Sequence, residues 1–525
     1  MVPTLLVGFL IIAPTWVCLE AAFFVWWQRA YAHLNQQPNP HRPADPEHAR
    51  RVFDRFIRDQ ATISKYICIN EMLSKWYWGV PADRLTKRDV TDLLCYGFWY
   101  RSQEQMEADG LGPVADGLVD ELQAAWGVSF PDADPGAQPG AARPPMMSHL
   151  WQPVRAFWRP LGFYAGVELL VGLKHVMLLA AGFRPYRVGG LRYYTYGLPP
   201  LPPAEAAPEA AAARVAAARR EREQEGRPAA PAAPAAAAPA AAPPRRGGRR
   251  EAAGAGAAEA AEAPLLFLHG VGLGLLPYLN FLLQLCCLGR PAVAVEVRHL
   301  SMRACWEVPE EDEIVDWVAA ALDAHGLASV HVVAHSYGTF MASRLVQRRR
   351  RAVASLTLLD PVCFIMYNGK LIYNFVYRSP MAGASFLTWF IARDLAHSVS
   401  VSRRFYWSLL NLWPDQLPQH TLVAMGARDE LVPVPEVLTM LEAHPDTRVL
   451  LHRHHRHADF IKDLRWQARM VQEVAELVAG AAGAGHVTHA RSDSASSYEV
   501  MAGLNGGSSG GSGGGAGAGA AKKTN

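Results

Sequence analysis

Three side chains, at positions 336, 429 and 457, have the types that acyl transfer needs. A serine hydroxyl is a weak nucleophile at neutral pH and requires an adjacent base. Ser336 stands in Ala334-His335-Ser336-Tyr337-Gly338, with a small residue two places before it and another two places after. His457, ahead of Ala458-Asp459-Phe460, is the candidate base. It would take the serine proton and return it to the leaving group, while Asp429 orients and stabilises the imidazolium. The developing oxyanion needs N–H donors. Tyr337, at the start of a helix, offers one, and Val271 in His269-Gly270-Val271-Gly272 offers a second. Asp360, at the end of another apolar run, competes with Asp429 for the acid role. His454 or His455 could replace His457. His335, beside the nucleophile, reads as structural.

These groups need a scaffold that brings them together. Val330, Val332 and Val333 form an apolar β-branched run leading into the serine, and Thr339 to Val346 reads as a helix. A serine on such a strand-to-helix turn is pushed out of the sheet, and small neighbours let the two backbones pass closely. Further strands are expected at Leu265–Leu268, Ala292–Val297, Val353–Leu359, Thr421–Met425 and Val449–Leu451. Helices are expected at Leu275–Cys287, Pro309–Ala324, Pro433–His444 and Asp459–Val478. Alternation of this kind requires a parallel sheet with helices on both faces. Reactive groups then collect at the carboxyl ends of the strands.

Four motifs stand in one order: H-G-V-G-L-G from His269, A-H-S-Y-G from Ala334, G-A-R-D-E-L-V-P from Gly426 and H-A-D-F from His457. Together they resemble the α/β-hydrolase superfamily over Pro264 to Ala479. Ala334 replaces the usual first glycine of the elbow. The resemblance implies an α/β-hydrolase fold, with a mostly parallel sheet, helices on both faces and a helical lid insertion. It also implies a serine hydrolase acting on ester bonds, with no cofactor and no metal. An acyltransferase using the same triad, or a non-catalytic membrane protein of this fold, are the alternatives. The insertion from Cys363 to Pro418 lies where this family places its lid, and it is rich in Phe, Tyr and Trp. An aromatic-lined lid suggests an apolar acyl-ester or lipid substrate. The four histidines of Leu451–His457 could hold a metal, but Arg453 and Arg456 among them oppose a cation.

The remainder of the 525 residues sets the context. Residues 1–27 are apolar and long enough to cross a bilayer, with Trp26, Trp27 and Tyr31 expected at an interface belt. Arginines follow on the C-terminal side, so the catalytic domain is expected in the cytosol as part of a single-pass membrane protein. Residues 28–200 are expected to be mainly helical, with Thr86 as a helix cap and Arg192–Gly197 as an extended segment leading toward the sheet. Leu161–Phe183 is a second apolar run, interrupted by Glu168, Lys174 and His175, and reads as a buried or membrane-surface helix, with a second membrane span as the alternative. Residues 201–262 are rich in Ala, Pro, Arg and Glu and are expected to be a disordered linker. The hydrolase domain is placed at 263–480, with its lid at about 363–418, and residues 481–525 read as a disordered tail. The net charge of +3, with no basic patch interleaved with aromatics, argues against nucleic acid. Seven scattered cysteines without a C-x-x-C point to free thiols.

Overall fold

The computed structural model describes residues 2–36, 45–132, 143–225 and 263–481. Its strands are β1 (Arg184–Val188), β2 (Leu191–Tyr196), β3 (Leu265–Leu268), β4 (Ala292–Glu296), β5 (Val330–His335), β6 (Val353–Leu359), β7 (Thr421–Gly426) and β8 (Thr447–His452). The helices that matter here are α1 (Val2–Leu34), α2 (Leu161–Ala180), α3 (Pro208–Glu225), α4 (Leu279–Cys286), α5 (Glu311–Ala324), α6 (Gly338–Arg348) and α7 (Leu464–Ala481).

The strands form one sheet in the order β1-β2-β4-β3-β5-β6-β7-β8. β2 is antiparallel to both β1 and β4, and every other pairing is parallel. Strands covered on both faces need apolar side chains on both faces. Accordingly, every residue of β3, β4, β5 and β7 is buried. Leu266 and Leu268 point to the side of α5 and α6, and Leu265 and Phe267 to the side of α4 and α7. The edge strand β8 is only partly covered.

The short helices between Pro46 and Trp126 do not form a separate body. They share a core with the lid segment, where Phe56 meets Tyr367 with ring centroids 5.4 Å apart and Phe98 meets Trp407 at 5.3 Å. Trp76 Nε1 donates to the Tyr367 carbonyl at 2.8 Å. The dense aromatics of this region are therefore core. Thr86 caps its helix reciprocally with Asp89. The Arg403 guanidinium is buried and bonded only to oxygens of Asn35, His149, Leu150, Gln152 and Ser402. It joins the end of α1 to the lid.

Four expectations change. The sheet begins at Arg184, ahead of the extended segment expected at Arg192–Gly197, because β1 pairs with β2 and β2 pairs with β4 across a long intervening segment. The turn between them is closed by Gly189 and Gly190, where a Cβ would come within 2.3 Å and 2.7 Å of the Trp317 ring. Part of the expected linker, Pro203–Ala206 and Pro208–Glu225, is helical. Ala, Arg and Glu are strong helix formers, and α3 lies on α5 with Ala218 buried and Arg219 paired to Glu313. Trp27 is not at an interface belt. It is buried with Ala30 and Leu34 against Val154, Leu395 and Val399. Among the described residues, the helix long and apolar enough to span a membrane is α2. The linker from 226 to 262 and the tail from 482 lie outside the described residues.

α2 reconciles charge with apolarity by facing two ways. Lys174 turns inward, with its Nζ 2.5 Å from Glu296 Oε1 and 3.3 Å from Tyr194 Oη. Glu168 pairs with Arg303 at the helix edge. Leu169, Leu173, Val176, Met177 and Leu179 remain exposed on the other side. Glu20 of α1 accepts the Leu161 N–H at 2.8 Å and so caps α2.

Candidate active site

The nucleophile stands on a strained turn. β5 ends at His335, and Ser336 follows with φ of +51°, a left-handed conformation that costs a non-glycine residue of order 1 kcal/mol or more. Its own N–H is held by the Leu359 carbonyl of β6 at 3.0 Å. Gly338 is obligatory here, since a Cβ would sit 2.3 Å from the Leu268 carbonyl oxygen. Gly270 is equally constrained, with a virtual Cβ 2.8 Å from Ser336 Cβ. The loop after β3 is thereby pressed against the nucleophile.

The three expected side chains meet. His457 Nε2 lies 2.8 Å from Ser336 Oγ, and His457 Nδ1 lies 2.7 Å from Asp429 Oδ2. The other Asp429 oxygen accepts the Leu431 and Val432 N–H groups at 2.7 Å and 2.9 Å. Ser336 and Asp429 are each 5% exposed, so all of this happens out of bulk water. Burial by itself would lower the imidazole. The charge of Asp429 and its hydrogen bond, with Asp360 and Glu430 behind, outweigh burial and raise His457 to about 9. Among the described hydrogen bonds, the Val271 and Tyr337 N–H groups have no protein acceptor. The loop between them is tied down by Gly272 N–H donating to the Leu300 carbonyl at 3.0 Å.

The competing candidates are placed elsewhere. Asp360 accepts from the backbone N–H groups of Gly426 and Ala458 and is not the Nδ1 partner of His457. His455 turns to Asp463, with Nε2 3.2 Å from Oδ2, and its carbonyl accepts the Arg428 N–H. His452, His455 and Asp463 do bring ligand atoms within 4.8 Å of one another. However, His452 Nδ1 accepts the His455 N–H at 3.1 Å, which leaves the ring proton on Nε2. A metal-bound histidine has the opposite arrangement, with its second nitrogen donating. This cluster is a turn cap.

The lid is fastened to the acid loop. Asn374 Nδ2 donates to the Glu430 carbonyl at 2.7 Å, Lys370 Nζ to the Val432 carbonyl at 3.0 Å, and Thr388 Oγ1 to Glu430 Oε1 at 3.1 Å. Its tip, at Met381, Phe386 and Leu387, is exposed and apolar.

A buried contact escaped the sequence. Tyr337 Oη donates to Glu311 at the first turn of α5, and both side chains are buried. Burial pushes the Glu311 carboxyl up to about 8, against a hydrogen bond from Tyr337 that pulls it down. The folded protein therefore holds this proton between the ordinary value of 4.5 and about 8, where the unfolded chain has lost it. Stability must fall as pH rises through that window. Glu311→Gln keeps an oxygen for Tyr337 and removes the proton equilibrium. Its melting temperature should gain on the wild type steadily from pH 6 to 8. Parallel melting curves across that range would remove this role for Glu311.

A family profile described as "alpha/beta hydrolase fold" matches residues 301–412. Its match spans the nucleophile strand, its turn, β6 and most of the lid. The protein has the α/β-hydrolase fold. Among solved structures, this chain is similar to a carboxylesterase of Nitrososphaera gargenis, at 12% identity over 42% of this chain and 92% of that one, with a TM-score of 0.32. A meta-cleavage product hydrolase of Pseudomonas fluorescens is similar at 18% identity, over 42% and 91%, with a TM-score of 0.32. An epoxide hydrolase of Vigna radiata is similar at 15% identity, over 42% and 92%, with a TM-score of 0.30. No curated protein matches the chain.

Proposed function

We propose that the protein is a membrane-associated serine hydrolase that cleaves acyl esters. One observation carries this reading: the unbroken run Asp429 Oδ2, His457 Nδ1, His457 Nε2, Ser336 Oγ, with separations of 2.7 Å and 2.8 Å. Ser336 attacks the ester carbonyl as His457 takes its proton, and Asp429 holds the imidazolium. The Val271 and Tyr337 N–H groups receive the oxyanion. His457 then protonates the leaving alcohol. Water, activated by the same imidazole, releases the acid. The apolar lid tip and the exposed apolar face of α2 support a long-chain acyl or lipid substrate met at a bilayer. The near-complete burial of Ser336 favours acyl transfer to an alcohol as the second reading, since it limits water.

A fluorophosphonate probe tests the reading directly. It should label the wild-type chain on the peptide containing Ser336, and long-chain esters in vesicles should compete better than short soluble ones. Added alcohol should divide turnover between acid and new ester according to whether water reaches the acyl-enzyme. Absence of labelling at Ser336 would end the proposal.

A further inference from the structure

A second carboxylate lies beside the base, and the triad does not use it. Asp360 ends β6 with φ of +44°, is 5% exposed, and offers an oxygen in one cluster with Asp429 and His457, all within 4.8 Å of one another. Its two oxygens serve two different loops. Oδ1 accepts the Gly426 N–H at 3.1 Å, at the root of the acid loop. Oδ2 accepts the Ala458 N–H at 2.9 Å, one residue after the base. Ala458 has φ of +65°, so the base loop makes its sharpest bend at that bond.

Behind Asp360 runs a chain of buried polar groups that ends at the oxyanion loop. His335 Nε2 lies 3.7 Å from Asp360 Oδ2 and has no hydrogen-bond partner of its own. His335 Nδ1 is 2.6 Å from Tyr278 Oη, and Tyr278 Oη accepts the Gly270 N–H at 3.3 Å. The donor directions agree along the whole run: Gly270 N–H to Tyr278, Tyr278 O–H to His335 Nδ1, His335 Nε2–H towards Asp360. The His335 ring stands 5.6 Å from the His457 ring, and Phe460 seals its side at 4.9 Å. Burial lowers His335, against the pull of Asp360, so it stays neutral next to a base that must become charged.

We propose that Asp360 is a positioning residue for the base: with His335 and Tyr278 it fixes the His457 loop and the Gly270 loop relative to each other, and it places a second negative charge beside the reacting imidazole. This rests on the triad reading above. The groups facing His457 are then Asp429 and Glu430 from the loop after β7, Asp360 from β6, and His335 and Ser336 from the end of β5. Among the described residues, only Asp360 both faces the imidazole and binds its loop. Its charge favours the protonated ring, so removing it must move the ring's titration to lower pH.

The test uses the full chain with Asp360→Asn, Asp360→Glu and Tyr278→Phe. In the wild type, log kcat/KM should rise with pH until His457 is neutral, near 9. Asp360→Asn should move that limb down by about one pH unit. It should lower kcat roughly ten- to a hundredfold at unchanged KM, less than loss of the base itself. Asp360→Glu, which restores the charge, should return the limb. Tyr278→Phe leaves every charge in place. It should lower kcat several-fold without moving the limb, and it keeps the inference open to refutation if Asp360→Asn does not fold. A folded Asp360→Asn with the wild-type limb and kcat, or a Tyr278→Phe with wild-type kcat, overturns the proposal. If the wild type takes no probe and has no turnover, the triad reading falls. The His457 titration in 15N-histidine spectra of wild type and Asp360→Asn still decides the electrostatic claim by the same shift.

Discussion

Ser336→Ala is expected to abolish probe labelling and to lower kcat for an acyl ester by roughly 10⁴- to 10⁶-fold. His457→Ala should cost about as much, and the double variant little more, because nucleophile and base act as one unit. The geometry leaves no substitute. His335 is turned to Tyr278 and Asp360, and His455 to Asp463, so neither can reach Oγ without refolding its loop. What activity survives in both variants comes from binding and the two oxyanion donors, and it should be insensitive to the His457 titration. Turnover within tenfold of wild type in purified Ser336→Ala would mean that the chemistry happens at a different place. Losses that add fully in the double variant would mean that the two side chains act apart.

The second large effect concerns stability. Lys174→Met should lower the free energy of unfolding by about 3–5 kcal/mol, read from the midpoint of urea denaturation. Lys174 and Glu296 are 0% and 1% exposed at their side chains, and Glu296 Oε2 already lacks a partner. Removing the ammonium leaves a carboxylate in the interior without its ion-pair partner. Glu296 also lies under the oxyanion loop, where a Cβ on Gly274 would come within 2.8 Å of its Oε1. The loss should therefore reach catalysis as well as folding. Lys174→Met/Glu296→Gln together should recover much of the stability, since a neutral buried pair needs no counter-charge. A single variant within 1 kcal/mol of wild type would show that α2 is not fastened at this point.

Several parts of this arrangement were legible before any coordinates. The β3 to β7 strands were readable because parallel strands buried on both faces are continuous apolar runs, and a run such as Val330 to Val333 has few other uses. The elbow was readable because Gly338 and Ala334 are the sizes that a close strand–helix crossing admits. Glu296 carries a signal of its own: a charge closing an all-buried strand has to find a partner. β1 was hidden because Arg184-Pro185-Tyr186-Arg187-Val188 is mostly exposed and becomes a strand only by pairing with β2. α3 was hidden because a low-complexity Ala/Arg/Glu stretch reads alike as a disordered tract or a surface helix. Contact with α5 decides which.

Local sequence thus determined the buried parallel strands and which residue types end each of them, since those depend on backbone preference and on neighbours a few places away. Tertiary structure alone decided which acid faces the base. Asp360 and Asp429 both end strands, and their order along the chain cannot say which oxygen will stand 2.7 Å from His457 Nδ1. That depends on the register of β6 against β7 and on how the base loop bends at Ala458. Both are fixed by contacts between residues far apart in the chain, Leu356 with Thr421 and Asp360 with Ala458.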